Sequence, residues 1–567
     1  TGDLFKNKLR QRNNSEYYHM VDAYLSYDNT FNHHHIRGLV GFNYEQDYQK
    51  NLYSTMMDIQ SNNLNDFNLG NHTEGVSLEG GQYEWALESF FGRVGYDWKG
   101  RYLAEVNLRW DASSRFRRDK RAAVFPSVSA GWRVSEEPFF APIRNTFSNF
   151  KIRGSFGSLG NQAISSPYPY IQTLDLLQQN YLVNGEFLTY ASVSAPTAGN
   201  FTWETVVHGN LGLDLGFFNN RLTFAGDLYI RDTKDMLVPG KTLPGVYGAA
   251  SPKENAADLR TKGYELTLSW NDKFNLAGKP FTYGVSFALG DNISKITKYD
   301  NPTKDFNVSQ YYEGMTIGEI WGYQIDGLFK TDEEAAAYQA EIDHSLIAKN
   351  ILQTATGKYK GLKAGDPKFV DLDGNGRIDD GEKTANNRGD MRVIGNSRPR
   401  YNYSGSINLG WNGFDISAFF QGVGRQHRYP DGNAMLFWGG YARPYSSFVP
   451  EHFLDDVWSE DNPDAYFPKL RGYAAQGDRH LAKVNNRYLQ NTAYCRLKNL
   501  TVGYTLPVDL TRKARIDRVR VYFSGDNLVT WTALKSKYID PEQFSTDGSA
   551  RVYPFAKTFS FGLDITF

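Results

Sequence analysis

Long hydrophobic runs are missing from this sequence. No segment approaches the roughly 18 consecutive apolar residues of a membrane-crossing helix, and mean hydropathy is −0.54. Cysteine is nearly absent. Cys495 stands alone among 567 residues, which excludes a disulfide framework and a cysteine-rich zinc site. Excess charge of one sign is missing too: 62 Lys and Arg face 63 Asp and Glu, so nothing favours nucleic acid as a partner. The opening residues, T-G-D-L-F-K-N-K, carry no leader pattern. They leave two readings, a leader already removed or a longer parent chain. No G-x-S-x-G, H-E-x-x-H or phosphate-loop motif occurs, and no carboxylate pair stands at a catalytic spacing. No catalytic residues are assigned, and the chain reads as a non-enzyme. What is abundant is aromatic and small: 37 Tyr, 37 Phe, 11 Trp and 53 Gly.

The final stretch, 555–567, shows how those residues are used. From Phe559 the alternation is strict, with Phe559, Phe561, Leu563, Ile565 and Phe567 on one face and Ser560, Gly562, Asp564 and Thr566 on the other. Period two is a strand with one apolar and one wet face. The same pattern predicts strands over 16–31, 34–48, 90–98, 102–110, 125–134, 150–157, 206–217, 221–231, 258–270, 281–291, 401–411, 414–421, 494–506, 518–524 and 555–567. One face repeats as Tyr264, Leu266, Leu268, Trp270, or Val519, Val521, Phe523. The other carries Glu265, Thr267, Ser269, or Arg518 and Arg520. A charged inner face does not suit a soluble sandwich; it suits the water-filled interior of a transmembrane β-barrel, with lipid on the apolar side. Short turns (Lys99-Gly100, Asn219-Asn220, Asn412-Gly413) alternate with long polar connections, as periplasmic turns and extracellular loops do. Fifteen strands is an odd number, and the expectation is a carboxy-terminal barrel portion lacking an odd number of strands. The segment 320–330 is where a miscount would undo that parity. A helix is expected over 332–349, in the long loop 294–400.

Several strings then resemble one family, the SusC/RagA-like TonB-dependent outer-membrane transporters. They are R-W-D-A-S-S-R-F (109–116), F-P-S-V-S-A-G-W-R-V-S (125–135), G-S-F-G-S-L-G-N-Q (154–162), W-E-T (203–205), T-K-G-Y-E-L (261–266), G-E-I-W-G-Y-Q-I-D-G-L-F (318–329), Y-C-R-L-K-N-L-T-V-G-Y-T-L-P (494–507) and Y-F-S-G-D-N-L-V-T-W-T (522–532). The resemblance implies an all-β, antiparallel transmembrane barrel, these being about 15 strands of a larger barrel of about 22. It implies a plug domain and first strands that this chain does not contain. It also implies location in the outer membrane of a Gram-negative, Bacteroidetes-like bacterium. A SusD-like lipoprotein lid, the TonB complex reached through the missing amino-terminal region, and an oligosaccharide or peptide cargo are the implied partners. A passive porin-like channel is the alternative function, and an outer-membrane barrel enzyme a third class.

The sharpest motif is D-L-D-G-N-G-R-I-D-D-G-E at 371–382. It fits the calcium loop D-x-[DN]-x-[DN]-G-x5-E at every specified position. Calcium takes many hard oxygens. Asp371, Asp373 and Asn375 would offer side chains, Arg377 its carbonyl, Asp379 a ligand through water, and Glu382 a bidentate carboxylate. The preceding A-G-D-P is not helical, so the expectation is an isolated calcium loop that pins a long connection. The consecutive His33, His34 and His35 point to alternate faces of a strand and do not converge on a metal. Cys495 reads as a small wall residue. Six loop aromatics, Trp321, Tyr323, Phe437, Trp438, Tyr441 and Tyr445, are candidates for stacking on a ligand, with packing inside the loops the competing reading. Under the first reading, Trp438→Ala weakens uptake more than assembly.

Overall fold

The computed structural model describes residues 7–567 except 62, 74, 163, 165–167, 195, 198, 200, 241–243, 245, 247, 249–250, 349–360, 446, 448, 450, 452, 537–538, 547, 550–552 and 554. Fifteen strands form one antiparallel sheet whose neighbours follow chain order. They are β1 (Lys8–Phe31), β2 (His34–Met57), β3 (Ser77–Trp98), β4 (Tyr102–Ser113), β5 (Ala122–Arg133), β6 (Phe147–Asn161), β7 (Glu204–Phe217), β8 (Leu222–Pro239), β9 (Lys253–Leu276), β10 (Lys279–Lys298), β11 (Arg400–Trp411), β12 (Phe414–Arg425), β13 (Tyr494–Thr505), β14 (Arg518–Thr532) and β15 (Thr558–Thr566). Each coincides with one segment of two-residue period. The expected turns are present: Lys99 and Gly100 (φ 54° and 65°), then Asn412 and Gly413 (φ 46° and 90°), adopt the left-handed pair that tight hairpins require.

Several strands run further than the periodicity predicts, β1, β2, β3, β8, β9, β10 and β14 among them. β2 continues to Met57 and β3 begins at Ser77, where a polar connection was expected. Pairing of Tyr48 with Glu84 and Lys50 with Gln82 carries the ladder on. Polar residues predominate on both faces there and the apolar ones are scattered, so backbone hydrogen bonds carry the ladder on and no regular period announces it. Segment 320–330 does not alter the strand count. Glu319–Gly322 pairs with Arg392–Asn396, and Ile325–Leu328 with Pro367–Phe369, in small separate sheets. The helix expected over 332–349 is broken in its middle and resumes as a short turn of helix over Ser345–Ala348. α1 (Asp332–Glu341) is capped by the Thr331 hydroxyl, which accepts from Glu334 N–H, and ends at extended Ile342. Asp343 then leaves helical geometry to pair with Gly376 and Ile378. Residue 349 lies outside the described residues.

The chain divides into two units, the first comprising Thr1–Arg133, Arg153–Gly209 and Arg231–Asp258, the second the remainder. Within the first, the polar face of β1–β4 is cross-linked by side chains. Asn43 donates to Asp22 at 2.7 Å, the Trp85 indole to Asp47 at 3.0 Å, and Arg109 to Ser89 at 2.8 Å and Asp111 at 2.7 Å. A small core of Leu87, Phe116, Phe125, Phe201 and Trp203 closes beside it. His34 bonds the Tyr96 hydroxyl and His35 bonds Asp28, so the histidine run splits between faces as expected.

Within the second unit, Arg520 on β14 bonds Asp415 on β12 at 2.7 Å and Asp564 on β15 at 3.3 Å. It reaches across β13 because Gly503 has no side chain there; a Cβ would sit 2.6 Å from both partners. The opposite face is apolar and exposed, with Phe523 packed 5.4 Å from Phe561 between ring centres. β13 also carries a bulge around Lys498, a device that re-aims side chains. Arg496 and Lys498 both reach Glu542 on α2 (Pro541–Thr546), at 2.8 and 2.7 Å.

Candidate metal centre and the loop core around it

In the second unit the connections between β10 and β11, between β12 and β13, and between β14 and β15 are not loose. They share one core that includes Tyr323, Phe369, Ile378, Phe437, Trp438, Tyr441, Phe467, Tyr488 and Phe544. Polar side chains hold the irregular backbone that this burial strips of water. Asn485 donates to Lys483 O at 2.8 Å and accepts from Tyr488 N–H. Arg487 donates to Tyr466 O and Ala465 O. Arg471 grips the buried Asp366 with two bonds of 2.8 Å.

The twelve-residue motif lies against this core. Gly374 and Gly376 take φ of 73° and 77°, which lets the loop coil round Asp371. The Asp371 carboxylate accepts from the N–H groups of Gly374 at 2.7 Å, Asn375 at 3.3 Å and Gly376 at 2.8 Å. Burial opposes its charge, yet those N–H groups prevail and hold its carboxyl below the usual range. Asp373 accepts from Asn375 N–H, and the Asn375 amide oxygen from Arg377 N–H. Ile378 is fully buried. Its N–H meets Asp343 O at 2.8 Å, and Asp343 N–H returns a bond to Gly376 O.

One residue outside the motif completes the geometry. Asp390 is fully buried and takes the N–H of Leu372 on one oxygen, at 2.6 Å, and that of Asp379 on the other, at 2.8 Å. Among the described His, Cys, Asp and Glu side chains, Asp371, Asp373 and Asp390 bring ligand oxygens within 4.8 Å of one another. Burial pushes the Asp390 carboxyl up, and the charges of Asp373 and Asp371 push it further. Asp379 instead turns one oxygen to Gly381 N–H. Glu382 is exposed on the turn beyond and is not one of the converging three. Arg377 keeps its guanidinium outside, 3.8 Å from Asp379. Three hard oxygen donors, one raised by the charge of the other two, fit a divalent cation. Asp390 follows the motif by eight residues and carries no sequence signal beyond being one more acid.

The six candidate stacking residues divide. Trp438 and Tyr441 are fully buried, and Phe437 and Tyr323 nearly so. The Trp438 indole donates to Asp431 O at 3.0 Å, and the Tyr441 hydroxyl donates to Pro468 O. Phe437 meets Trp438 edge-on at 4.8 Å. Four of the six are therefore core residues with no ring face open to a ligand, and the expectation that they present such faces is corrected. Trp321 is half-buried against Phe306 at 5.8 Å. Tyr445 alone stands clear, at 94 % exposure.

Comparison with known proteins agrees with this architecture. A family model described as TonB dependent receptor-like, beta-barrel, matches residues 2–343. TonB-dependent receptor P3 of Formosa agariphila is 29 % identical, over 97 % of this chain and 52 % of its own length. TonB-dependent receptor SusC of Bacteroides thetaiotaomicron is 28 % identical over 85 % of this chain and 44 % of its own. The chain thus spans about half the length of the curated relatives it matches. Among solved structures, the RagAB peptide transporter shares the fold with a TM-score of 0.72 at 21 % identity, covering 99 % of this chain and 57 % of that one. With a family match over more than half its residues and strands of one apolar and one wet face, the chain belongs to the TonB-dependent receptor β-barrel family and is an outer-membrane protein of the Bacteroidetes type.

Proposed function

We propose that the protein to which this chain contributes barrel wall and outer loops imports an oligomeric nutrient, a glycan or a peptide, across the outer membrane. Cargo passes by gated diffusion without covalent chemistry. A SusD-like surface lipoprotein closes the outer side, and the inner-membrane TonB complex supplies energy. The observation that carries this reading is the folded state of the long connections. A pore that merely admits solutes needs loops that narrow its mouth. A shared aromatic core satisfied by Asn485, Arg487 and Arg471 makes instead a rigid platform against which a lid can close. The likeness to SusC and to the RagAB peptide transporter supports the class and leaves glycan and peptide as equal candidates.

Calcium belongs to the same proposal as a structural ion. Asp371, Asp373 and Asp390 would hold it, tying the motif to the core through Ile378. Mass measurement of the native particle in mild detergent tests the lid. The expected particle resolves on denaturation into a barrel chain and a second, lipid-modified chain. A particle of one protein species refutes the lid and favours a passive porin.

A further inference from the structure

The apolar face of β1–β4 is not smooth. It holds a groove of about 690 Å³, bounded by Leu25, Val40, Val94 and Leu108 with Gly38 and Gly92 at its floor. Register explains the dent. Gly38 stands opposite Tyr27 and Val94, and Gly92 opposite Val40 and Leu108, so two positions without side chains are diagonal neighbours. Neither glycine is demanded by the backbone, since neither has a positive φ. A Cβ on Gly38 would meet only Tyr27 Cβ, at 3.9 Å, and one on Gly92 would meet Leu39 O at 3.7 Å and Val40 Cγ1 at 4.0 Å. These are ordinary contacts. By contrast, a Cβ on Gly41, on the polar face, would lie 2.4 Å from the Phe91 ring. Side chains would fit at Gly38 and Gly92, and the space is left open.

We propose that this groove seats one acyl chain of an outer-membrane lipid. Two aromatic bands mark its ends on the same face, and Phe90 and Trp110 of the first also line it. Phe42, Phe90 and Trp110 pack at 5.1 and 5.7 Å, and Trp98, Tyr102 and Trp132 at 5.6 and 6.3 Å. Phe90 and Trp98 are eight residues apart, about 26 Å along a strand and so about 20 Å across the membrane at the tilt of such barrels, within the apolar belt between their aromatic girdles. The groove therefore lies in the hydrocarbon layer and is continuous with the membrane interface of this family. No water is available there to fill it. A peptide segment entering it would need partners for its backbone groups, and the groove walls are hydrocarbon. A saturated chain needs none. The inference rests on the membrane location of the strands and is independent of the import proposal.

The test uses the full-length protein in phosphatidylethanolamine vesicles doped with a phospholipid whose acyl chain bears a diazirine. Mass spectrometry of peptides after photolysis locates the label. The expected result is labelling of β1–β4 about fivefold above that of the apolar face of β14 and β15, lost in the double variant Gly38→Val/Gly92→Val. Equal labelling of both regions, unchanged labelling in the variant, or cross-links to a co-purified protein in place of lipid would overturn the proposal. Should the variant fail to assemble, the unaltered protein decides. Labelling that saturates at one lipid per chain supports the groove, and labelling that rises linearly with probe refutes it.

Discussion

Trp438 shows how a side chain's meaning depends on its surroundings. In a long polar connection it looks like a platform for a sugar ring. In the structure it is a core residue, its indole bonded to Asp431 O and its ring 5.4 Å from Tyr488. Trp438→Ala should therefore cost about 3–5 kcal/mol of loop stability, the usual range for emptying a buried aromatic site. Hydrogen exchange would read this as faster exchange across 426–493 with the strands still protected; unchanged exchange with lost uptake would restore the stacking role. Asp390 makes the second residue-scale prediction. Asp390→Asn should weaken calcium binding about tenfold or more, because ligand charge sets affinity, whereas Glu382→Gln should leave it nearly unchanged. Equilibrium dialysis of labelled calcium decides, and the reverse ranking would return the site to the twelve-residue motif alone. Without metal, the raised Asp390 carboxyl makes ionisation costly in the fold. Its contribution to the metal-free loop falls as pH rises through and above the ordinary carboxylate range, opposite in sign to that of Asp371, so Asp390→Asn should gain stability relative to the parent as pH rises, and calcium should remove that difference.

At the scale of elements, the strands were legible because lipid on one face and water on the other leave period two in the sequence. The ends of β2 and β3 were not, since there polar residues predominate on both faces. The helix after Thr331 was legible in its start, through the cap, and not in its end. Asp343 exchanges helix for a bridge to Gly376 and Ile378, a contact with a segment more than thirty residues away. The segment around His480 offers a pH test. His480 is buried beside Asp366, Arg471 and Arg479, and burial lowers its pKa from 6.5 to about 4. The neutral ring is the folded form. Its contribution is fully present above pH 6.5 and is lost as pH falls toward about 4, a difference of about 3 kcal/mol. Proteolysis within 466–490 should quicken over that window, and His480→Asn should flatten the response. A response that persists in the variant assigns it to the carboxylates instead.

For the whole molecule, strand order and turn chemistry could be read from sequence because each hairpin is local. The loop core could not. Tyr323, Phe369, Trp438 and Phe544 come from three connections far apart in the chain, and no periodicity marks residues whose neighbours are that distant. Asp390 was hidden for another reason: it lies only eight residues past the motif but carries no pattern beyond being one more acid. Import is the proposal built on this sheet and core, and the measurement that tests it most directly is uptake by intact cells of fluorescent oligosaccharides and peptides too large for porins. The account predicts saturable uptake of one of the two classes, abolished by a protonophore and by deletion of the gene. Uptake that survives the protonophore and rises linearly with concentration would contradict it and make the protein a passive channel.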